Sequence, residues 1–154
     1  MTISESYAQE LIELMLRADF PTLMQYIRDD VEWITINPEV KSTKSSGHYR
    51  GKKDFMEVTG PLMKTFKAPP QFTLERSTIA GDLLFVELKG EAIGSKDNKT
   101  LTGLRSRLIV CMLQLVQIFE FEENDEANSK PQIKKIKEYM DSALLKEFMD
   151  NNLD

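Results

Sequence analysis

Apolar positions follow two rhythms along the chain. At helical spacing, Tyr7, Leu11, Leu14 and Ala18 define a first helix ending near Arg17, with Thr2 and Glu5 at capping-box spacing ahead of it. Asp19 is placed to cap a second helix, which tolerates Pro21 in its first turn and turns Phe20, Leu23, Met24 and Ile27 to a core. Phe55, Val58, Leu62 and Phe66 predict a third helix, interrupted at Gly60-Pro61 and stopped by Pro69-Pro70. Leu144, Leu145 and Phe148 predict a last one. Alternating spacing predicts strands over 31–36, 71–80, 83–93, 114–122 and 132–140. Gly81-Asp82 joins two of these as a tight hairpin. A Ser/Thr/Lys loop precedes Gly47, and an acidic loop fills 123–131.

Helices grouped at the start, then a meander of strands and a closing helix, give an α+β class. The expected architecture is one curved antiparallel sheet with helices packed on its concave face, enclosing a cone-shaped pocket, a cystatin-like α+β barrel. No repeat or linker divides the 154 residues, so a single domain over 1–154 is expected. Residues 99 to 123 break the pattern. As one straight strand they would run about 80 Å, against a radius of gyration of about 15 Å for a domain this size. An atypical or inserted segment is therefore expected around 99–113, either a true insertion with a loop or bulge near 103–107 or a misassigned stretch of sequence.

Composition narrows the function classes. The formal net charge of −5 argues against nucleic acid as a partner. One cysteine, Cys111, rules out an internal disulfide and permits a reducing compartment. The N-terminus lacks the basic and apolar regions of a signal peptide, and the apolar run 108–119 is short for a bilayer span. A cytoplasmic protein that does not engage membranes is expected. No His/Cys/Asp/Glu spacing suggests a metal, and no glycine-rich loop or nucleophile elbow suggests a phosphate cofactor or a serine nucleophile. No cofactor or metal is expected.

Five stretches, in order, carry a family resemblance: "RADFPTLMQYIRDDVEWI", "GHYRGKKDF", "AGDLLFVELKGEA", "QIFEFEE" and "QIKKIKEYMDSALL". Together they resemble the nuclear transport factor 2-like superfamily, more closely its SnoaL-like (polyketide-cyclase-like) branch, over nearly the whole chain. The resemblance implies the fold above, a small-molecule ligand in the cone and a homodimer through the outer sheet face, where Phe85 and Tyr139 lie among charges. Function does not follow from fold. The base, tyrosine and protonated aspartate of the family's ketosteroid isomerases match Asn37, Ile12 and Gln117 here, and all three departures argue against steroid-isomerase chemistry. The acid/base glutamate of its phenazine-biosynthesis members matches Glu138 in "EYMD". The nearest counterpart of their pocket histidine is His48, the only histidine.

The strand period supports Glu138 independently. It shares a face with Ile136 and Met140, so if these face the pocket the carboxyl does too. Desolvation then raises its pKa into the range useful for proton transfer near neutrality. The alternative is a buried structural acid. His48 is the candidate partner, or else an exposed loop residue. Trp33, Tyr49, Phe119 and Met140 are candidate pocket wall, or core. Asn37 and Gln117 are candidate orienters of a carbonyl, or satisfied amides. Two functions stay open: cofactor-free isomerisation, dehydration or cyclisation of an apolar carbonyl-bearing metabolite, and a non-enzymatic ligand-binding or dimerisation module.

Overall fold

The computed structural model describes residues 2–39, 46–95, 113–123 and 130–152. Helix α1 (Glu5–Leu16) is capped by Ser4, whose Oγ accepts the Tyr7 N–H at 3.2 Å, two residues later than the expected box. It buries Tyr7, Leu11, Ile12 and Met15. Asp19 caps the single-turn α2 (Phe20–Leu23) through the Thr22 N–H, as its spacing predicts. After a short 3₁₀ turn come β1 (Ile27–Thr35), β2 (Gly47–Arg50), α3 (Lys52–Met63), β3 (Gln71–Ala80), β4 (Leu83–Glu91), β5 (Leu113–Glu122), β6 (Gln132–Met140) and α4 (Ser142–Asn152).

The strands form one six-stranded sheet in the order β2-β1-β6-β5-β4-β3. It is mixed rather than purely antiparallel: β1 pairs with β6 in parallel, and the other pairings are antiparallel. β2 was not apparent in the sequence, since its four residues include a glycine and follow a polar loop. α1 packs toward β3, and α3 packs on β1 and β2. α3 runs through Gly60-Pro61 instead of breaking there, and it buries Thr59 while Val58 stays exposed.

One core cluster joins α1 to the inner face of the sheet through Leu11, Ile12, Val31, Leu84, Phe121 and Ile136. α4 closes one end, with Phe148 near Ala92, and Leu145 and Met149 against Ile36. Gly51 begins α3 with φ 94°. Its N–H donates to the Val31 carbonyl at 2.8 Å, and an added Cβ would lie 3.0 Å from the Asp29 carbonyl oxygen. The position therefore suits glycine, and it fixes how α3 sits over β1. The segment expected to be unusual around 99–113 lies, except for Leu113, outside the described residues.

Candidate functional site

Register assembles the site. One row across the sheet reads Gly47, Thr35, Glu138, Gln117, Val86, Ser77, from β2 to β3. The adjacent row on the same face reads Tyr49, Trp33, Ile136, Phe119, Leu84, Ile79. Glu138 is thus the one acidic position in two rows that are otherwise apolar or uncharged.

Glu138 as a residue is 8% exposed. Gln117 Nε2 donates to Oε1 at 2.6 Å. Burial pushes the Glu138 pKa up to about 6, against the opposing pull of Gln117, Trp33 and Thr35. Desolvation dominates because a charge loses more solvation on burial than these neutral dipoles return. Tyr49 is raised as well, first by burial and then by the Glu138 charge. An ionised carboxylate and an intact phenol therefore coexist near neutral pH.

The aromatic side of the site is packed ring on ring. Phe55 of α3 stacks on Trp33 with ring centroids 3.5 Å apart and planes 4° apart, and Tyr49 meets Phe55 edge-on at 5.7 Å. An added Cβ on Gly47 would lie 2.5 Å from Tyr49 Oη, so the missing side chain leaves the space that hydroxyl occupies. Two buried donors are not satisfied: Trp33 Nε1 and Thr35 Oγ1 lack a hydrogen-bond partner among the described residues. Both lie close enough to Glu138 to favour its ionised form, yet neither meets hydrogen-bond geometry with it. Leaving such a donor unmade costs roughly 1–3 kcal/mol.

Of the residues picked from the sequence, Trp33, Tyr49, Gln117 and Glu138 come together. Phe119 is buried beside them, opposite Ile136. Met140 is half-buried and packs toward α4. Asn37 is exposed, its Oδ1 accepting from the Glu39 N–H at 3.0 Å. The cause is Ile36, whose φ of 60° ends the strand alternation, while its N–H bonds the Glu138 carbonyl at 2.7 Å. His48 lies on the opposite face from Tyr49, with Nε2 2.8 Å from Glu32 Oε1, and is not brought to Glu138. Thr35 was missed, although its signal was present: it lies two residues beyond Trp33 in the same strand.

A separate cleft of about 470 Å³ is lined by Ile3, Ser4, Tyr7, Glu10 and Lys130, among others. It opens near the start of β6, about 20 Å along the strand from Glu138. Its polar groups are engaged with one another: Glu10 accepts from Lys130 and Tyr26 at 2.7 Å, and Tyr7 Oη donates to the Pro131 carbonyl. Among the described residues no three His, Cys, Asp or Glu side chains are grouped to hold a metal, and no helix is long and apolar enough to cross a membrane.

The arrangement superposes on known structures over most of its length. An NTF2-like protein of unknown function from Burkholderia pseudomallei K96243 superposes with a TM-score of 0.61, covering 94% of this chain and 92% of its own at 16% identity. The chain has the nuclear transport factor 2-like fold. A SnoaL-like protein from Burkholderia thailandensis E264 shares that fold with a TM-score of 0.56 over 92% of this chain and 99% of its own, at 13% identity. TerC, co-crystallised with polyporic acid, matches with a TM-score of 0.65 over 93% and 98% of the two chains at 14% identity. The sequence matches no family model and no curated protein. At such identities the nuclear transport factor 2-like fold is shared, and function has to be argued from the site.

Proposed function

We propose that the chain binds an apolar, carbonyl-bearing small molecule against the Glu138 face and that Glu138 moves a proton on it without a cofactor. The observation that carries this is the one buried carboxyl among the described residues, with a pKa raised to about 6, set among aromatic walls. Such a group is largely ionised at neutral pH, yet basic enough to take a proton and acidic enough to return it. Isomerisation needs no more: the carboxylate removes a proton next to the carbonyl, the electron pair forms an enolate, and the same proton returns at another carbon. Dehydration and cyclisation begin with the same removal. Gln117 holds the carboxyl in place. His48, on the far face, takes no part. TerC, on the same fold, was co-crystallised with polyporic acid, which supports the ligand-binding half of the proposal.

Native mass spectrometry of the purified protein, looking for a retained molecule, is the direct test. Turnover of that molecule should rise with pH through about 6 and disappear in Glu138→Gln, with binding kept. A retained molecule that the parent does not convert would leave a non-enzymatic binding module, and conversion that survives Glu138→Gln would remove Glu138 from the reaction.

Assembly is a second element of the proposal. The outer face carries the rows Phe85, Ile118, Lys137, Ile34 and Glu87, Val116, Tyr139, an apolar strip edged by charge. Tyr139 is 46% exposed there. Two such faces meeting would form a homodimer burying about 800 Å² on each partner. Light scattering at micromolar concentration is expected to give the dimer mass, and a monomer would sink this part of the proposal.

A further inference from the structure

The sheet has one long open edge. β3 lies last in the strand order and pairs only with β4, whereas β2 at the other end has four residues. Among the described residues no strand pairs with the far side of β3, so a row of unpaired N–H and C=O groups runs along its ten residues. The strand carries a bulge. Leu74 lies opposite Leu88 and Arg76 opposite Glu87, so Glu75 is one residue more than β4 has to match. The extra residue reverses the alternation. Phe72 and Leu74 face inward before it, and Ser77 and Ile79 face inward after it. Phe72, Leu74 and Ile79 pack on the main core yet stay half-buried. Glu75 and Arg76 both lie on the outer side, Glu75 in an ion pair with Lys89. Bulges and charges also protect edges from pairing. What sets β3 apart is that its bulge and its charges are complementary to themselves.

We propose that β3 pairs antiparallel with β3 of a second copy, about a twofold axis normal to the sheet that passes between Glu75 and Arg76. Opposite residues in a sheet share a face, so an unbulged strand pairs with its own copy only in registers centred on a residue. The bulge moves the allowed centre to a point between two residues. There Phe72 falls opposite Ile79 of the second copy, and Leu74 opposite Ser77, inner against inner. Thr73 falls opposite Thr78, and Glu75 opposite Arg76, outer against outer. A shift of one residue either way sets Phe72 against Thr78 or Ala80, on the wrong face. The twofold makes every contact twice. Two Glu75–Arg76 pairs form, each extending the ion pair with Lys89. Opposite charges and paired threonines facing across strands are favourable. The product is one continuous sheet of two six-stranded halves, with both inner faces on the same side. A single strand edge buries less than the roughly 800 Å² per partner of a standard interface, so the contact is weak alone and is read best by trapping. A homodimer through the outer face uses a different surface, and the two contacts are tested apart.

Disulfide trapping on the full chain tests the register. Every copy carries Cys111→Ser, which removes the one natural cysteine. Thr73→Cys and Thr78→Cys each replace an exposed residue, and a nitrogen-15 label on one copy identifies mixed products by mass. Mixed at high micromolar concentration with oxidised glutathione, the two variants should join position 73 to position 78. Residues directly opposite in an antiparallel pair lie within disulfide reach. The 73–73 and 78–78 products should be roughly tenfold rarer or more, since those positions lie about 17 Å apart along the strands. Arg76→Glu in both copies sets carboxylate against carboxylate and should cut the 73–78 yield roughly fivefold or more. An Arg76→Glu copy mixed with a Glu75→Arg copy faces opposite charges again and should restore the yield, which separates charge pairing from damage to the fold. Absence of the 73–78 product, or equal yields of all three products, overturns the proposal. A yield that Arg76→Glu leaves unchanged, or that the mixed charges do not restore, overturns it as well.

Discussion

Glu138→Gln is expected to stabilise the protein by about 2 kcal/mol at pH 8 and to make no difference near pH 4.5. The folded protein holds the Glu138 proton up to about pH 6, against an ordinary value of 4.5. Between those limits the folded state binds more protons than the unfolded state, so parent stability falls as pH rises through the window. Below pH 4.5 the acid is protonated in both states and the full contribution is present. Above about pH 6 it has been lost, because the folded state then carries a desolvated charge. Glutamine keeps the shape and can still accept from Gln117, but it never charges. Exposed carboxylates act the other way: hydrogen bonds from Lys135, Arg28 and Lys130 lower the pKa of Glu32, Asp30 and Glu10. They are common to both proteins and cancel in the difference. Urea unfolding of parent and variant at pH 4.5, 6 and 8 makes the comparison. An equal difference at all three pH values would mean that the carboxyl is solvated and would remove the basis of the acid/base proposal.

That cost has a counterpart in what the sequence could reveal. Binary pattern located Glu138 on the inner face because period two is a local property: Ile136 and Met140 bracket it, and β6 falls over Gln132–Met140 as the alternation predicts. β3 and its Gly81-Asp82 hairpin to β4 were legible for the same reason, as was Asp19 as a cap. Pairing is not local. Nothing near β1 says that it lies parallel to β6, about a hundred residues away. That pairing puts Thr35 and Trp33 beside Glu138, so the donor half of the site was hidden with it. Asn37 was assigned to the inner face by the family pattern, and the left-handed backbone at Ile36 turns it out to solvent instead. A β-branched residue gives no warning of such a conformation. His48 was a matter of parity: once β2 is known to be a strand and Tyr49 to point inward, its neighbour must point out.

Ile136→Ala is the substitution expected to cost most, about 2–5 kcal/mol, out of a total that for domains of this kind is about 5–15 kcal/mol. Ile136 is fully buried. In its row it lies between Trp33 on β1 and Phe119 on β5, and it belongs to the cluster that ties α1 to the sheet. Flanking strands cannot close the gap without breaking their own register, so the loss comprises the transfer of the side chain and a cavity that does not collapse. The same gap adjoins the site, since Glu138 stands two residues along on the same face. Water admitted there would resolvate the carboxylate and let its pKa fall from about 6 toward 4.5. Ile136→Ala should therefore show two effects together: a lower urea midpoint, and a flatter change of stability between pH 4.5 and 6. Ile136→Val, which leaves a smaller void, should cost about 0.5–1.5 kcal/mol and keep the titration. A large loss of stability with the pH window unchanged would mean that the packing around Ile136 does not set the desolvation of Glu138. The acid would then owe its raised pKa to burial by residues other than Ile136, still against the opposing pull of Gln117 and Thr35.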